Sequence, residues 1–286
     1  MPKIGIIGGS GLYEMEGVTD ARWQKVPTPF GDPSDEVLTA RVDGVEFAFL
    51  PRHGRGHRIS PSNINYRANI YALKSLGVER VVSVSACGSL KEELRPLDFV
   101  IPTQFVDRTH QARKSTFFDE GVVAHVMFAD PVCEETARVV YDSARAAGVH
   151  AHFGGTYICM EGPQFSTRAE SNLYRQWGMD IIGMTNMPEA KLAREAQMSY
   201  VTLAAVTDYD CWREEEEAVS VDAVIATFKQ NIANAKKILK DVVVRLNALG
   251  PSPYADALKY AIMTDPKAVP ADVKERLKLL IGEYVM

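Results

Sequence analysis

The chain of 286 residues is 46% hydrophobic and 24% charged, which are ordinary values for a globular protein and argue against disorder. Its 32 Lys and Arg against 37 Asp and Glu leave a net charge of −5, so we expect no nucleic-acid partner. Apolar runs are too short for a signal peptide or a membrane span, which predicts a cytoplasmic protein without a membrane partner. The 4 cysteines form no CxxC pair and predict neither a disulfide framework nor a structural metal site.

Helical segments that stop at glycine alternate with apolar, β-branched segments along the chain. Helices are predicted at residues 66–76, 134–147, 167–177 and 188–197, and strands at residues 78–85, 150–159 and 200–206. Gly77 and Gly148 stand just past two of these helices and Pro188 opens another, as is typical of helix ends. The alternation predicts an α/β fold with a largely covered sheet.

The longest predicted helix begins with Ser220 as its N-cap and keeps a helical apolar spacing as far as Leu246. Core packing explains most of that apolar stripe. The Gly-Pro-Ser-Pro run at residues 250–253 indicates a linker, and two short amphipathic segments follow it. We therefore predict a main domain over residues 1–248 and a C-terminal helical extension over residues 249–286, which could act as a lid or an oligomer contact.

A glycine-rich loop, Gly8-Gly9-Ser10-Gly11, directly follows a short apolar strand. Backbone amides of such a loop can approach an anion, and the Ser10 hydroxyl adds a donor. A dinucleotide fingerprint would need a third glycine where Glu14 stands, which disfavours a nicotinamide-dependent oxidoreductase. A plain tight turn explains the loop equally well when the loop is considered alone.

A second loop, residues 52–58, carries five arginines and histidines after an apolar run. Arginine binds oxyanions in a bidentate manner and histidine can donate beside it, so Arg52 and His53 suit a phosphate. A solvated loop is one alternative, and a metal site on His53 and His57 is another that lacks a third ligand. Together with the glycine loop, these residues favour a phosphate site.

Two further loops follow apolar strands and carry small or aromatic residues. The small residues at 83–89 would let backbone amides line a pocket at a strand end, where ligands of open α/β sheets gather. A simple turn is the alternative for that loop. Phe165, in the loop 161–168, could offer a stacking surface for a ring, although a place in the core is commoner for phenylalanine.

Two carboxylates, Asp208 and Asp210, follow the predicted strand 200–206. In an extended segment their side chains point the same way, and burying like charges together raises the pKa of one of them. One acid could then donate to a ring nitrogen while its neighbour accepts from an amino group. Divalent-cation binding is the alternative, but the regular ligand spacing of a calcium loop is missing.

Seven motifs occur in one order along the chain: Gly8-Gly9-Ser10-Gly11, Pro51-Arg52-His53-Gly54, Asn65-Tyr66-Arg67-Ala68-Asn69, Ser85-Ala86-Cys87-Gly88-Ser89-Leu90, Glu161-Gly162-Pro163-Gln164-Phe165, Gly183-Met184-Thr185 and Thr207-Asp208-Tyr209-Asp210-Cys211-Trp212. Together they resemble the motifs of the 5′-methylthioadenosine phosphorylases, which belong to the trimeric purine nucleoside phosphorylase group. The resemblance extends from about Lys3 to about Leu246.

The resemblance implies a single α/β domain whose central mixed sheet is partly closed into a barrel between helices. It implies a homotrimer, or a dimer of trimers, with active sites near the subunit interfaces. The reaction would be phosphorolysis, in which methylthioadenosine and phosphate give adenine and 5-methylthioribose 1-phosphate. Inorganic phosphate would be a co-substrate, and neither a metal nor an organic cofactor would be required.

The resemblance also implies roles for individual residues. Phosphate would be bound by Ser10, Arg52, His53, Ser85, Ala86 and Thr185. The nucleoside would be bound by Cys87, Gly88, Phe165, Met184, Asp208 and Asp210. The 5′-methylthio group would be held by Val221, Val224 and Ile225, with His125 reaching in from a neighbouring subunit. Asp208 would be the catalytic acid at purine N7, and Asp210 would accept from the exocyclic amine.

One departure from the family pattern bears on the base. Gly183 stands where many relatives have asparagine, and the sequence from Gly183 onward is similar to the 6-oxopurine-preferring methylthioinosine phosphorylases. The carboxylate pair Asp208 and Asp210 indicates the opposite, because a 6-amino purine donates from N6 whereas a 6-oxopurine accepts there. We therefore expect adenine to be the base. The alternatives are a methylthioinosine or general purine nucleoside phosphorylase and, outside enzymes, a nucleoside-binding protein on the same fold.

Overall fold

A computed structural model describes residues 1, 3–9, 11–110, 113–213 and 221–285, with the side chains of the last long helix described from residue 226 onward. The strands are β1 (Ile4–Gly8), β2 (Val18–Gln24), β3 (Val37–Val42), β4 (Val45–Pro51), β5 (Arg80–Ser89), β6 (Phe99–Ile101), β7 (Gln104–Arg108), β8 (Ala151–Phe153), β9 (Thr156–Met160), β10 (Ile181–Gly183) and β11 (Ser199–Asp208). The helices are α1 (Tyr66–Ser75), α2 (Glu134–Ala146), α3 (Arg168–Gln176), α4 (Asn186–Glu195), α5 (Val221–Asn247), α6 (Ala271–Arg276) and α7 (Lys278–Val285), with short 3₁₀ turns at Pro61–Asn63 and Asp210–Trp212.

The predicted helices are confirmed to within two residues at their described ends, and local chemistry accounts for their starts. Asn65 caps α1 by accepting from the Ala68 amide, and Thr167 forms a capping box with Glu170 at the start of α3. The single strand predicted at 150–159 is instead two, because two adjacent glycines at 154–155 take positive φ angles and bend the chain between β8 and β9. Residues 254–263 form a series of turns and not a helix.

The sheet is mixed and its long central strand is β5. The first half of β5 pairs in parallel with β1, and almost its whole length pairs in parallel with β11. At its far end β5 pairs with the antiparallel strand β10. On the other side of β1, the chain adds β4, β3 and β2 in turn. All of these strands belong to one 11-stranded sheet.

Part of this sheet closes on itself. From β5 the pairing continues through β10 to β9 and then to β7, and β7 follows β6 in the chain after two residues. Strand β6 pairs with β11, and β11 returns to β5. The strands β5, β10, β9, β7, β6 and β11 therefore form a ring, which confirms the predicted partly barrel-like mixed sheet of an α/β domain.

Helices cover the sheet and bury its central strands on both faces. Residues of α1 and α4 pack into one apolar core with β5 and β11, and residues of α2 and α5 pack into a second core on another side. Burial is continuous along β1 and nearly so along β5 and β11, as expected of strands covered on both faces. Among the described residues, the helices are all too short or too polar to span a bilayer.

The C-terminal segment packs onto the same core. Its buried apolar side chains are Leu258, Ala261, Val269, Val273, Leu277, Leu280, Ile281 and Val285. The turn at its start is joined to β11 by a 2.8 Å hydrogen bond between the hydroxyls of Ser252 and Ser199. The segment therefore shares the core of the main domain, and the division at residues 248/249 stays a prediction.

We expect Leu277→Ala to lower the free energy of unfolding of the whole chain by about 2–5 kcal/mol, because it opens a cavity in this shared core. Leu279→Ala is the matched control, since Leu279 is 40% exposed two residues along the chain. Urea unfolding followed by intrinsic fluorescence measures both. Equal, small losses for the two variants would show that the segment is not part of the cooperative core.

A buried carboxyl group fastens the loop before residue 118 to the end of α4. Glu195 accepts hydrogen bonds from the Thr116 hydroxyl and the Phe117 amide, each at 2.7 Å. Burial raises the pKa of Glu195 to about 7, although these two bonds act in the opposite direction. The folded chain therefore holds a proton on Glu195 at pH values where the unfolded chain has lost it.

The stability supplied by this proton is lost as pH rises from about 4.5 to about 7. We expect Glu195→Gln to remove that decline, so that its stability relative to wild type increases by up to about 3 kcal/mol between pH 5 and pH 8. Urea unfolding at both pH values tests this, with the exposed Glu93→Gln as control. A pH-independent difference between the Glu195 variant and wild type would contradict the assignment.

Candidate functional site

The predicted site loops meet where neighbouring strands end. Gly8 at the end of β1 pairs with Pro51 at the end of β4, and the Arg52 amide donates to the Gly8 carbonyl at 2.9 Å. On the other side, Gly88 of β5 pairs with Asp208 of β11. Parallel pairing of β4, β1, β5 and β11 thus brings the glycine loop, the cationic loop and the carboxylate pair to one edge of the sheet.

Arg52 is buried and is held mainly by protein groups. Its guanidinium binds the carboxylate of Glu189 through two bonds of 2.9 and 3.2 Å, the Val84 carbonyl at 2.9 Å and the Ser83 hydroxyl at 2.6 Å. Burial disfavours its charge, but the Glu189 carboxylate outweighs this and raises the pKa of Arg52. Its Nη1 carries a second hydrogen for which the described residues supply no acceptor, and this hydrogen is available to an anion.

His53 is neutral at physiological pH. Burial and the adjacent Arg52 lower its pKa to about 4. Its Nδ1 lies 2.8 Å from the Ile59 carbonyl, which can only accept, so Nδ1 carries the hydrogen and Nε2 is an acceptor. The expectation that the His53 ring donates to phosphate is therefore replaced by one in which Nε2 accepts from the hydroxyl of hydrogen phosphate.

The other two arginines of the cationic loop, residues 52–58, bind protein groups near the loop. Arg55 binds the carboxylates of Asp35 and Glu36, at 2.7 and 2.9 Å. Arg58 donates to the Ser34 carbonyl at 3.0 Å. The loop therefore presents far less free positive charge than its composition indicates, and the solvated-loop interpretation holds for Arg55, which is exposed.

The hydroxyl groups of Ser85 and Thr185 meet although 100 residues separate them, with their oxygens 3.5 Å apart. Ser85 comes from β5, and Thr185 immediately precedes α4 without using its hydroxyl to cap that helix. Ala86, next to Ser85, is exposed, and its carbonyl accepts from the Ser85 hydroxyl at 3.1 Å. The two hydroxyls lie beside the end of the Arg52 strand and form a cradle suited to an anion.

The two acidic side chains lie against the β5 strand end. The Asp208 carboxylate accepts from the Thr207 hydroxyl at 2.7 Å and from the Asp210 amide at 2.8 Å. A Cβ at Gly88 would lie 3.1 Å from Asp208 Oδ1, so the glycine permits this close approach. The register between β5 and β11 shifts at Thr207, which is the extra residue of a bulge between the pairs formed by Val206 and Asp208.

The predicted rise in a carboxyl pKa falls on Asp210. Burial raises the pKa of Asp210, and the Asp208 carboxylate adds to this rise. Its Oδ2 is buried without a hydrogen-bond partner among the described residues. Asp210 also has a φ of +51°, an unfavourable backbone conformation for a residue with a side chain. An unpartnered buried acceptor of this kind is typical of a site that a ligand completes.

Three residues predicted to contact the nucleoside have different surroundings. Phe165 is 83% exposed in the loop after β9, so the core interpretation is wrong. The sulfur of Met184 lies so close to Gly162 that a Cβ there would meet it at 2.5 Å. Cys87 is buried, and burial followed by the nearby Asp208 carboxylate raises the pKa of its thiol, so it is not a nucleophile.

The remaining predicted site residues are Ser10, His125 and the three apolar residues of the long helix. Ser10 lies outside the described residues, as do the side chains of Val221, Val224 and Ile225. His125 is exposed, and its amide donates to the Ala261 carbonyl at 2.8 Å. Within the described part of this single chain, no hydrogen bond or ion pair joins His125 to the other predicted site residues.

Sequence reasoning missed the buried groups that hold the site residues in place. Glu189 binds Arg52, and its position four residues after Thr185, between Pro188 and Ala190, was the available signal. Arg113 donates to the Met184 and Met187 carbonyls, each at 2.7 Å, and to the Glu161 carboxylate at 3.0 Å. No local pattern distinguishes Arg113, because its partners come from distant segments.

One trio of metal-type ligands occurs among the described residues. Asp98, His150 and His152 converge, with the imidazole nitrogens 3.2 and 3.0 Å from the two carboxylate oxygens. These distances are hydrogen bonds, and the carboxylate also accepts from the Arg95 amide at 3.0 Å. The trio joins the start of β6 to β8, and we assign no ion to it.

Comparison with known proteins agrees with this geometry. The family model described as the phosphorylase superfamily matches residues 3–244. A curated S-methyl-5′-thioadenosine phosphorylase of Geobacter sulfurreducens is 60% identical over 282 residues, which are 99% of this chain and 99% of the relative. A second, of Koribacter versatilis, is 58% identical over 99% of this chain and 96% of its own.

Solved structures are similar over the same length. A methylthioadenosine phosphorylase sourced from an antarctic soil metagenomic library matches with a TM-score of 0.94 at 52% identity, covering 98% of both chains. A methylthioadenosine phosphorylase from Schistosoma mansoni, solved in complex with tubercidin, matches with a TM-score of 0.83 at 37% identity over 91% of this chain and 96% of its own. The chain therefore belongs to the phosphorylase superfamily.

Proposed function

We propose that this chain cleaves 5′-methylthioadenosine with inorganic phosphate, giving adenine and 5-methylthioribose 1-phosphate. The chain is an enzyme, a pentosyltransferase, as its full-length likeness to S-methyl-5′-thioadenosine phosphorylases shows. The observation that carries the site assignment is the pairing of Gly88 with Asp208. It sets the carboxylate pair beside the hydroxyl cradle on adjacent strand ends. Base and phosphate can therefore be bound on either side of one ribose.

Phosphate binds in the cradle formed by Ser85, the Ala86 backbone and Thr185, with Arg52 Nη1 and His53 at its side. Arg52 contributes little net charge because Glu189 neutralises it, so hydroxyl and amide donors supply most of the recognition. Neutral His53 accepts from a phosphate hydroxyl, so the bound phosphate keeps at least one proton. Ser10 of the glycine loop supplies a further donor.

The base binds against the carboxylate pair, with Phe165 on its face and Met184 against the sugar. Asp208 faces purine N7 and Asp210 accepts from the N6 amine through its unpartnered Oδ2. Mutual repulsion of the two carboxylates favours one bound proton for the pair. Asp208 is then the general acid that donates to N7, the role that the resemblance implies for it.

Cleavage of the glycosidic bond leaves positive charge on the ribose and negative charge on the purine. The bound phosphate stabilises the ribosyl cation and then forms the new C1–O bond. Protonation of N7 by Asp208 neutralises the leaving purine, which is general acid catalysis worth about 10²–10⁴ in rate. Val221, Val224 and Ile225, together with a neighbour's His125, surround the methylthio group.

The assay that tests this function measures base release from methylthioadenosine and from methylthioinosine, each with and without phosphate. We expect phosphate-dependent adenine release with little hypoxanthine. Release mainly from methylthioinosine would keep the mechanism and transfer the chain to the 6-oxopurine-preferring enzymes. Release without phosphate would make the chain a hydrolase, and no release would favour a binding protein.

We expect Asp208→Asn to lower adenine release about 10²–10⁴-fold, because the amide has no acidic proton to give to N7. We also expect a shift of preference toward 6-oxopurine nucleosides, because an amide can donate to a base that accepts at both N7 and O6. The control is Asp43→Asn, at an exposed position whose carboxylate pairs with Lys240. The measured quantity is kcat/KM for methylthioadenosine relative to methylthioinosine. An Asp208→Asn variant that kept its selectivity for adenine would refute this role.

We also propose a homotrimer. The segment carrying His125 is joined to residues 261–263 by hydrogen bonds and a β-bridge, and together these two segments expose Val123, Met127, Tyr260 and Met263. Contiguous exposed apolar side chains commonly mark a protein contact. A second copy seated here would bring its pocket toward His125, which agrees with the role implied by the resemblance.

Met127 is 87% exposed on this surface and offers a direct test. We expect wild type to have the mass of three 31.6 kDa chains by light scattering, and Met127→Glu to shift it toward the monomer by placing a charge in the contact. Met127→Leu is the matched control and should stay trimeric. A monomeric wild type, or a trimeric Met127→Glu, would contradict the proposed surface.

The proposed location is the cytoplasm. All four cysteines are unpaired, and Cys87, Cys133 and Cys159 are buried. Free buried thiols are typical of proteins that fold in a reducing compartment.

A further inference from the structure

A side chain at position 183 would collide with a neighbouring residue, and glycine avoids this. It lies in β10 opposite Cys159 of β9, and its φ is outside the positive region that only glycine favours. A Cβ at this position would nevertheless lie 2.6 Å from Cζ of Tyr157 and even closer to the Tyr157 hydroxyl oxygen. The absent side chain therefore leaves open the volume that the tyrosine hydroxyl occupies.

The Tyr157 ring has no room to move aside. Tyr157 is completely buried in β9 between β7 and β10, where it pairs with Phe105 on one side and Ile181 on the other. The Phe105 ring meets it edge-on at 5.9 Å between centroids. Its hydroxyl is thus held at a fixed place in the sheet.

That hydroxyl lies 3.2 Å from Ser85 Oγ in the anion cradle. Burial raises the pKa of Tyr157 well above its usual range, so the phenol keeps its hydrogen. Because Ser85 donates its own hydrogen to the Ala86 carbonyl, Tyr157 is the donor between the two hydroxyls and Ser85 accepts. The hydrogen of Ser85 is then left for another acceptor, which in the chain alone is the Ala86 carbonyl at 3.1 Å.

We propose that Tyr157 is a positioning residue of the phosphate site. Its hydroxyl, in the space that Gly183 leaves open, donates to Ser85 Oγ and directs the Ser85 hydrogen to a phosphate oxygen. Donation to Ser85 also polarises its O–H bond and strengthens its bond to the anion. This inference rests on the proposed binding of phosphate at Ser85, and it adds Tyr157 and Gly183 as a coupled pair behind it.

Steady-state kinetics with phosphate and methylthioadenosine varied separately tests the proposal. We expect Tyr157→Phe to raise KM for phosphate about two- to tenfold, the effect of one lost hydrogen bond, with KM for methylthioadenosine unchanged. A role in packing alone would change stability without this split between substrates. The control is Tyr284→Phe. It removes the hydroxyl that Tyr284, in the C-terminal segment, donates to Gln197.

A double-mutant cycle with Ser85→Ala locates the effect. If Tyr157 acts through Ser85, Tyr157→Phe has no further effect on KM for phosphate once Ser85 is alanine. An unchanged KM for phosphate in Tyr157→Phe, or an effect that persists without the Ser85 hydroxyl, would overturn the inference. Absence of phosphate dependence in wild type would instead refute the proposed function, so the two failures are distinguishable.

Gly183→Ala tests the shared space. Its Cβ should displace the Tyr157 hydroxyl and raise KM for phosphate at least as much as Tyr157→Phe does. In a Tyr157→Leu background, where the hydroxyl and outer ring are gone, the same alanine should add little further change. Equal effects of Gly183→Ala in both backgrounds would show that the two positions are not coupled.

Discussion

The buried ion pair between Arg52 and Glu189 organises the end of the sheet where the site lies. Glu189 is on α4, and its carboxylate binds Arg52 after β4, the Ser83 hydroxyl on β5 and the Tyr200 hydroxyl on β11 at 2.9 Å. A buried charge that lost its partner would cost several kcal/mol, so these elements must assemble together. The same bonds fix the strand ends from which the phosphate and base groups project.

The sequence predicted well the features that depend on residues close together along the chain. Helix periodicity and its glycine or proline ends located α1 to α4, and strand runs located β5 and β11. The family resemblance assigned Asp208 and Gly88 to the nucleoside and Ser85 and Thr185 to phosphate, and in the structure the members of each pair lie together. Where two glycines bend the chain at 154–155, an apparent single strand became two, because periodicity does not register a turn taken in mid-strand.

The sequence did not predict the features that depend on partners far apart along the chain. The loop 52–58 looks like a dense patch of positive charge, yet Asp35 and Glu36 bind Arg55 and Glu189 neutralises Arg52. The sequence suggests that His53 donates to phosphate, but the Ile59 carbonyl that faces Nδ1 fixes the hydrogen on that nitrogen. Which charges remain free for a ligand is decided by contacts across many residues of sequence, and local composition carries no record of them.

Because of the bulge at Thr207, the chemistry of this site depends on how the residues of β11 pair with β5 as well as on which residues they are. In an unbroken strand side chains alternate, so Thr207 would stand opposite Gly88 and Asp208 would turn to the far face. If β11 paired regularly with no residue lost, the acid would leave the pocket while every functional group stayed in the chain. The irregular pairing at the end of β11 is therefore itself a functional element, alongside the identity of Asp208.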